Sequence, residues 1–239
     1  MNMITKTLSG ICLTVFTVQA LAAGGVSFSR NRMIFPSSEK SISITVNNTS
    51  DNTYLVQAGV SGAVDKKTPA PFMVTPPLFR LEKNDNNVMR ILRAGGDLPQ
   101  DREQVFYFSA STIPSQAMPD KTPGKAGATG AQVSISMKTI LKLFWRPEGL
   151  GISPAKALMA LRFVSVPGGV VVKNPTPYYQ SFAALSFDGK MQDIDQQPSM
   201  VSPFSELRFG ASVSVRQVSW SVMNDYGGTT EMKTQAVEK

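Results

Sequence analysis

The chain contains no histidine in its 239 residues, and its single cysteine, Cys12, falls within the first two dozen. Lacking histidine, it has no Ser-His-Asp arrangement, no imidazole general base and few ways to build a zinc site. Hydrolase and metalloenzyme readings therefore start weak, and no metal or cofactor is implied. The longest early apolar stretch, Ile11 to Val18, is too short to span a bilayer. It follows Lys6 and precedes the small residues Ala20 and Ala22, which is the layout of a targeting segment cut after Ala22 or Ala23. Residues 1–22 are thus assigned to a signal peptide, and the mature chain is expected to be exported with no integral membrane segment. Because Cys12 leaves with that peptide, no disulfide is available despite an oxidising destination, and stability must come from packing. The formal charge of +7 is not gathered into a run, and no Lys/Arg cluster interleaves with aromatics, so nucleic acid is not an expected partner.

What is present reads as strands. From Val26 to Trp145, short runs rich in β-formers alternate with turn chemistry at Pro36-Ser37-Ser38, Asn47-Asn48, Lys83 to Asn87 and Gly95-Gly96-Asp97. Strands are predicted over Val26–Phe28, Met33–Phe35, Ser41–Asn47, Tyr54–Val60, Phe72–Thr75, Val88–Leu92, Val105–Ser109 and Val133–Trp145, with no helical periodicity among them. An irregular stretch from Pro114 to Ala131 carries several prolines and glycines, a composition that favours disorder. Arg146-Pro147-Glu148-Gly149 ends this unit, because proline stops a central strand. A second β unit follows, with a hairpin through Pro167-Gly168-Gly169, a turn at Asn174-Pro175-Thr176-Pro177 and a late strand over Ser212–Met223. The fold class expected is all-β, two sandwiches in tandem, over residues 23–147 and 148–239.

The segment Gln132 to Pro147 changes its pattern halfway. Val133, Ile135 and Met137 alternate with serines, the period-2 mark of a strand with one apolar face. From Ile140 to Trp145 the apolar residues close up, as in a strand buried on both faces, yet Lys142 sits among them. Counting by twos puts Lys142 on the face opposite Val133, Ile135 and Met137, so a twist, a bulge or a departure from the sheet edge is expected between them.

Four motifs now stand in order: Leu98 to Phe108 with Ile113-Pro114, Lys142 to Pro147, Asn174 to Tyr179, and Asn224 to Gly228. Together they resemble the PapD-like family of periplasmic pilus chaperones over essentially the whole mature chain. The resemblance implies two immunoglobulin-like β-sandwich domains arranged in an L, located in the periplasm. It implies a protein that is not an enzyme, that stabilises pilus subunits by donor-strand complementation, and that delivers them to an outer-membrane usher. Val133, Ile135 and Met137 would be the donated residues, and a second copy could cap the same ridge in a dimer. Arg32 and Lys142 would anchor the subunit's terminal carboxylate, for which a planar fork and a compact point charge suit one another. Glu103, Arg146 and Asp225 would form a charged contact between the domains. Leu55, Gln57, Thr75, Pro77 and Arg90 would face the usher, and Thr75-Pro76-Pro77 is a candidate for a cis peptide.

The chain departs from the family pattern at Ser109, where asparagine is usual, and at Gln104, where a small hydroxyl residue is usual. Its loop before Val133 is long, but the cysteine pair of the long-loop branch is absent, which leaves the short-loop type. Two rivals remain to be weighed. A pilus subunit or adhesin would share export and β content, and a carbohydrate hydrolase would need paired carboxylates, for which only the turn residues Asp188 and Asp193 offer themselves.

Overall fold

The structure, a computed structural model, describes residues 24–64, 68–115, 134–211 and 214–239. In chain order the first unit is built from β1 (Val26–Phe28), β2 (Arg32–Pro36), β3 (Ser41–Asn48), β4 (Tyr54–Ser61), β5 (Phe72–Thr75), β6 (Leu78–Leu81), β7 (Asn86–Arg93), β8 (Gln104–Pro114) and β9 (Met137–Arg146). One short helix, α1 (Pro154–Ala157), opens the second unit. Ser153 caps it with its side chain, and Pro154 stands where a free N–H would be unsatisfied anyway. The second unit continues with β10 (Arg162–Val166), β11 (Gly169–Asn174), β12 (Gln180–Phe187), β13 (Lys190–Met191), β14 (Met200–Val201), β15 (Ser205–Gly210), β16 (Gln217–Val222) and β17 (Lys233–Ala236).

Each unit is a two-sheet sandwich with its own core. In the first, a sheet ordered β1-β3-β7-β5 faces a sheet ordered β2-β9-β8-β4-β6. Alternation along the strands sends Ile44 and Val46, Met89 and Ile91, and Phe106 and Phe108 inward. Phe35, Phe72, Phe106 and Trp145 meet there, with the Phe72 and Phe106 rings 5.0 Å apart and edge-on. In the second, β10-β11-β15 faces β13-β12-β16-β17, and Phe163, Phe182, Phe209 and Trp220 fill the space between. The expected hairpin is present, with Val166 opposite Gly169 and Gly168 at a φ of 77°.

The two units share a corner device at the end of equivalent strands. Asn48 accepts from the Ser50 N–H and hydroxyl, and donates to the carbonyls of Asn52 and Glu82. Asn174 repeats this, accepting from the Thr176 N–H and hydroxyl and donating to the Tyr178 and Ser202 carbonyls. A buried amide that satisfies several backbone groups at once fixes where the chain turns.

Some expected boundaries move. Pro114, expected to open the irregular stretch, ends β8 instead. The last strand of the first unit starts at Met137 rather than Val133, and the late strand starts at Gln217 rather than Ser212. Val133 lies outside the described residues, as do residues 1–22, expected to be a signal peptide, and most of the irregular stretch. Ladder continuation would set Ile135 opposite Pro114, which has no N–H to give. The Thr75-Pro76 bond is cis.

Of the expected twist, bulge or departure from the sheet edge, no bulge or departure occurs between Met137 and Lys142. From Met137 opposite Thr112 to Trp145 opposite Gln104, β8 and β9 pair without a slip. Met137 therefore shares a face with Leu141, Leu143 and Trp145, which pack on the first core, whereas Lys142, Phe144 and Arg146 point the other way. Phe144 is fully buried because the second unit covers that outer face, its ring 5.5 Å from that of Tyr179. The closed-up pattern thus comes from two coverings, the strand's own core on one side and a neighbouring domain on the other.

Candidate functional site

The site is built around β9 and begins with an unequal pair of edges. On one side β9 pairs with β8 along its whole length. On the other, β2 runs parallel to it but covers only Lys142 to Arg146. Among the described residues, Met137 to Leu141 have no partner on that side. Ile135 and Met137, placed just before and at the start of β9, are 74% and 66% exposed. Ile140 is exposed on the opposite face. An unpaired apolar edge is a template for strand addition, which proteins normally blunt with charge or cover.

At the point where β2 takes over, Arg32 lies directly opposite Lys142 in the parallel register. Arg32 is only 6% exposed, with its guanidinium stacked 4.0 Å from the centre of the Phe144 ring and Nη1 donating to Ser181 Oγ at 3.3 Å. Its Nε has no hydrogen-bond partner. Among the described residues neither Arg32 nor Lys142 has a carboxylate within ion-pair distance. Burial lowers the pKa of Arg32, opposed by the fields of Glu103 and Asp225, and burial followed by repulsion from Arg32 lowers that of Lys142. Two largely desolvated cations side by side with no carboxylate within ion-pair distance are costly unless an anion completes them. An incoming carboxylate fits that need, held by charge-assisted hydrogen bonds.

Below this pair the two domains are tied together. Arg146 Nε donates to Glu103 at 2.7 Å, and its Nη1 and Nη2 form a two-pronged contact with Asp225 at 2.6 and 2.7 Å. Glu103 is wholly buried, and its second oxygen accepts the Tyr179 N–H at 2.8 Å. Burial pushes its pKa up against the pull of Arg146. Asp225 is more open; burial would raise it, but the hydrogen bonds and charge of Arg146 prevail and hold it below the ordinary aspartate range. Residues far apart in the chain, Glu103, Arg146 and Asp225, thus meet around one guanidinium. Alongside, Asn31 donates to the Gly227 carbonyl at 3.0 Å. Gly227 has a φ of 81°, and a Cβ there would collide with the Asn31 amide.

The residues expected to face a further partner are all exposed and lie on β4, β5, β7 and the turn between β5 and β6. Thr75 pairs with Arg90 in one sheet, and Pro77 sits where the chain crosses to the other, its carbonyl accepting the Ala58 N–H. Gln57 and Leu55 follow on β4, opposite Leu78 and Arg80. Sequence reasoning missed Leu78 and Ile113, exposed apolar neighbours that extend this patch, Ile113 lying directly opposite Leu55. It also missed Phe144, Tyr179 and Ser181 around Arg32. Tyr178-Tyr179 in the Asn-Pro-Thr-Pro turn was the available signal. Asp188 and Asp193 cap backbone N–H groups in turns and carry no paired-carboxylate geometry. No group of residues suited to hold a metal occurs among the described residues, and none of their helices is long and apolar enough to cross a membrane.

Comparison with known proteins decides the family. Residues 25–151 match the pili and flagellar-assembly chaperone family, PapD N-terminal domain, and residues 156–234 match the pili assembly chaperone PapD, C-terminal domain. The chain belongs to the PapD family of pilus-assembly chaperones. Its relatives include a probable fimbrial chaperone protein ElfD from Escherichia coli, 35% identical over 232 residues that cover 96% of this chain and 94% of that protein. Another is the chaperone protein HifB of Haemophilus influenzae, 35% identical over 218 residues, covering 88% and 87% respectively. Among solved structures, that of the Salmonella enterica SafA pilin in complex with the SafB chaperone contains a chain with a TM-score of 0.77 and 31% identity, covering 89% of this chain and 96% of that one. In this PapD-family member the matched domains meet at the cleft that holds Arg32, Lys142 and the Arg146 contact.

Proposed function

We propose that this chain is a periplasmic chaperone that captures pilus subunits by donating the free edge of β9, and that it presents them to an outer-membrane usher. The observation that carries the reading is the half-covered edge of β9, which presents Met137, Ile140 and Leu141 along its open part, follows the exposed Ile135, and ends at two cations in register. A subunit strand whose terminal carboxylate sits at Arg32 and Lys142, and whose body runs back past Leu141 to Met137, is parallel to β9 and collinear with β2. It continues the sheet that β2 leaves unfinished. Backbone hydrogen bonds along the edge supply affinity, while Ile135 and Met137, with Val133 upstream, enter the gap in the subunit's core. The two cations fix the register, because a slip of one residue would turn every side chain to the wrong face.

Relatives named as fimbrial chaperones, and the SafB chaperone bound to its SafA pilin, support this reading. The exposed set Leu55, Gln57, Thr75, Pro77 and Arg90 lies away from the cleft cations and is available to an usher while a subunit occupies β9. Release needs no nucleotide. A better-fitting strand from the next subunit displaces β9, a difference of affinities rather than a chemical step. The test is co-expression with a pilus subunit from the same genome and recovery of that subunit from an osmotic-shock fraction. Arg32→Ala and Lys142→Ala should each cut recovery by about ten-fold or more. Unchanged recovery with both variants overturns the anchor.

A further inference from the structure

Next to Arg32, a cavity of about 320 Å³ opens between the two domains. Its apolar walls come from Pro154, Ala155 and Leu158 around α1 and from Met223 at the end of β16. The polar side chains on the remaining walls are mostly committed. Arg146 and Asp225 hold each other, Asn224 Oδ1 accepts the Tyr226 and Gly228 N–H groups, and the Ser153 hydroxyl accepts the Lys156 N–H. The Tyr178 hydroxyl donates to the Ile152 carbonyl. What the cavity has left to offer is a mostly apolar surface, the buried Gln180 side-chain oxygen, which has no hydrogen-bond partner, and, at one side, the Arg32 guanidinium, which has no carboxylate within ion-pair distance.

We propose that this cavity is a side-chain subsite for the last residue of the captured strand, and that it selects an apolar side chain such as leucine or methionine. The inference rests on the carboxylate anchor at Arg32. A carboxylate held there places the terminal Cα within one bond of its own side chain, and Arg32 forms part of the cavity wall. The occupant is therefore the residue whose carboxylate Arg32 binds, since the two sites share that side chain. With Arg32 engaged by the terminal carboxylate, an anionic terminal side chain would be desolvated among Leu158 and Met223 beside the Gln180 side-chain oxygen, an acceptor with no proton to give it. A glycine would leave the walls wet. The anchor thereby reads side-chain chemistry as well as the presence of a chain end.

The test uses the full chain and dye-labelled synthetic peptides of alternating valine and threonine, with an N-terminal lysine pair for solubility. They differ only in the last residue, leucine, glycine or aspartate, each made as the free acid and as the amide. The expected order is leucine over glycine by about ten-fold, from burial of one aliphatic side chain, with aspartate weakest. The amides should bind weakly throughout. Leu158→Trp, or Met223→Trp from another wall, should fill the cavity and bring leucine and glycine together while the acid still exceeds the amide. Equal binding of leucine and glycine acids to the unsubstituted chain, with the amides still weak, overturns the subsite and leaves the anchor standing. Equal binding of acids and amides overturns the anchor, and the subsite with it.

Discussion

The two domains end in strands that occupy the same place in the same architecture. In the first, β9 pairs antiparallel with β8, and its far end pairs in parallel with β2. In the second, β17 pairs antiparallel with β16, and Glu238 just beyond it bridges in parallel to Val164 on β10. Each final strand therefore leaves a stretch of open edge before its parallel closure. The side chains on those edges differ. β17 is four residues long and reads Lys-Thr-Gln-Ala, a short polar edge headed by a lysine, which is how sheets avoid unwanted pairing. β9 is ten residues long, and its open stretch, preceded by the exposed Ile135, carries Met137, Ile140 and Leu141 with one lysine, Lys138, among them, so its edge is longer and far more apolar. One topology thus yields a blunted edge and an offered one, and the choice lies in a handful of side chains.

The strongest way to break this comparison is to blunt the offered edge. Ile135→Asp combined with Met137→Asp should reduce subunit recovery about a hundred-fold or more, since each removes the burial of one large apolar side chain in the partner. Both positions are exposed in the free chain, so its thermal midpoint should not move. The matching change in the other domain, Thr234→Asp, should leave recovery intact. A loss of recovery from Thr234→Asp, or none from the paired change, would remove the functional distinction between the two edges.

The next largest effect lies where β9 is locked to the second domain. Arg146→Ala leaves Glu103 buried without its counter-charge, at a cost of about 3–5 kcal/mol in urea unfolding. Adding Glu103→Gln should return part of that loss, because the two residues share one contact. A smaller, pH-dependent effect follows from Asp225. Its folded pKa is depressed, so its contribution is complete above the unfolded value of about 3.9 and is lost as pH falls through the folded one. The stability difference between the chain and its Asp225→Asn variant should therefore hold from neutrality to about pH 4 and shrink below it. A difference that instead grows on acidification would show that Asp225 is not held by Arg146.

Much of the first sandwich was legible because its strands alternate cleanly, as Ile44 and Val46 or Met89 and Ile91 do. β6 was not, since Leu78-Phe79-Arg80-Leu81 follows two prolines and is too short to show a period. β12 was not, because its register shifts between Phe182 and Ala184 and the run Phe182 to Leu185 breaks the alternation. The density of apolar residues around Lys142 was visible, but its cause was not. A sequence records that both faces of β9 are covered, without recording that Leu143 faces its own core and Phe144 a different domain. The Glu103, Arg146 and Asp225 contact joins positions 43 and 79 residues apart from Arg146, a distance at which only resemblance to a family suggests a pairing. The neighbours of Arg32 belong to the same class of long-range information, because Ser181 reaches it from the other domain.

The smallest expected effect concerns the closure that the second domain completes and the first leaves short. Glu238 donates its N–H to the Phe163 carbonyl and accepts the Ser165 N–H at 2.7 Å, while its carboxylate engages Arg162. Truncation after Val237 removes this bridge but leaves β17 paired to β16 and Val237 against the core. Global stability should barely change, since the ion pair is exposed and screened. The Ser165 amide, now without an acceptor, should exchange with solvent faster, while amides within the β10–β11 hairpin keep their protection. Subunit recovery should be unaffected. In the first domain the corresponding closure stops at Arg32, and the open edge before it carries the proposed function. If truncation instead weakened subunit capture, the second domain's edge would be taking part in binding, and the division of labour between the two final strands would not hold.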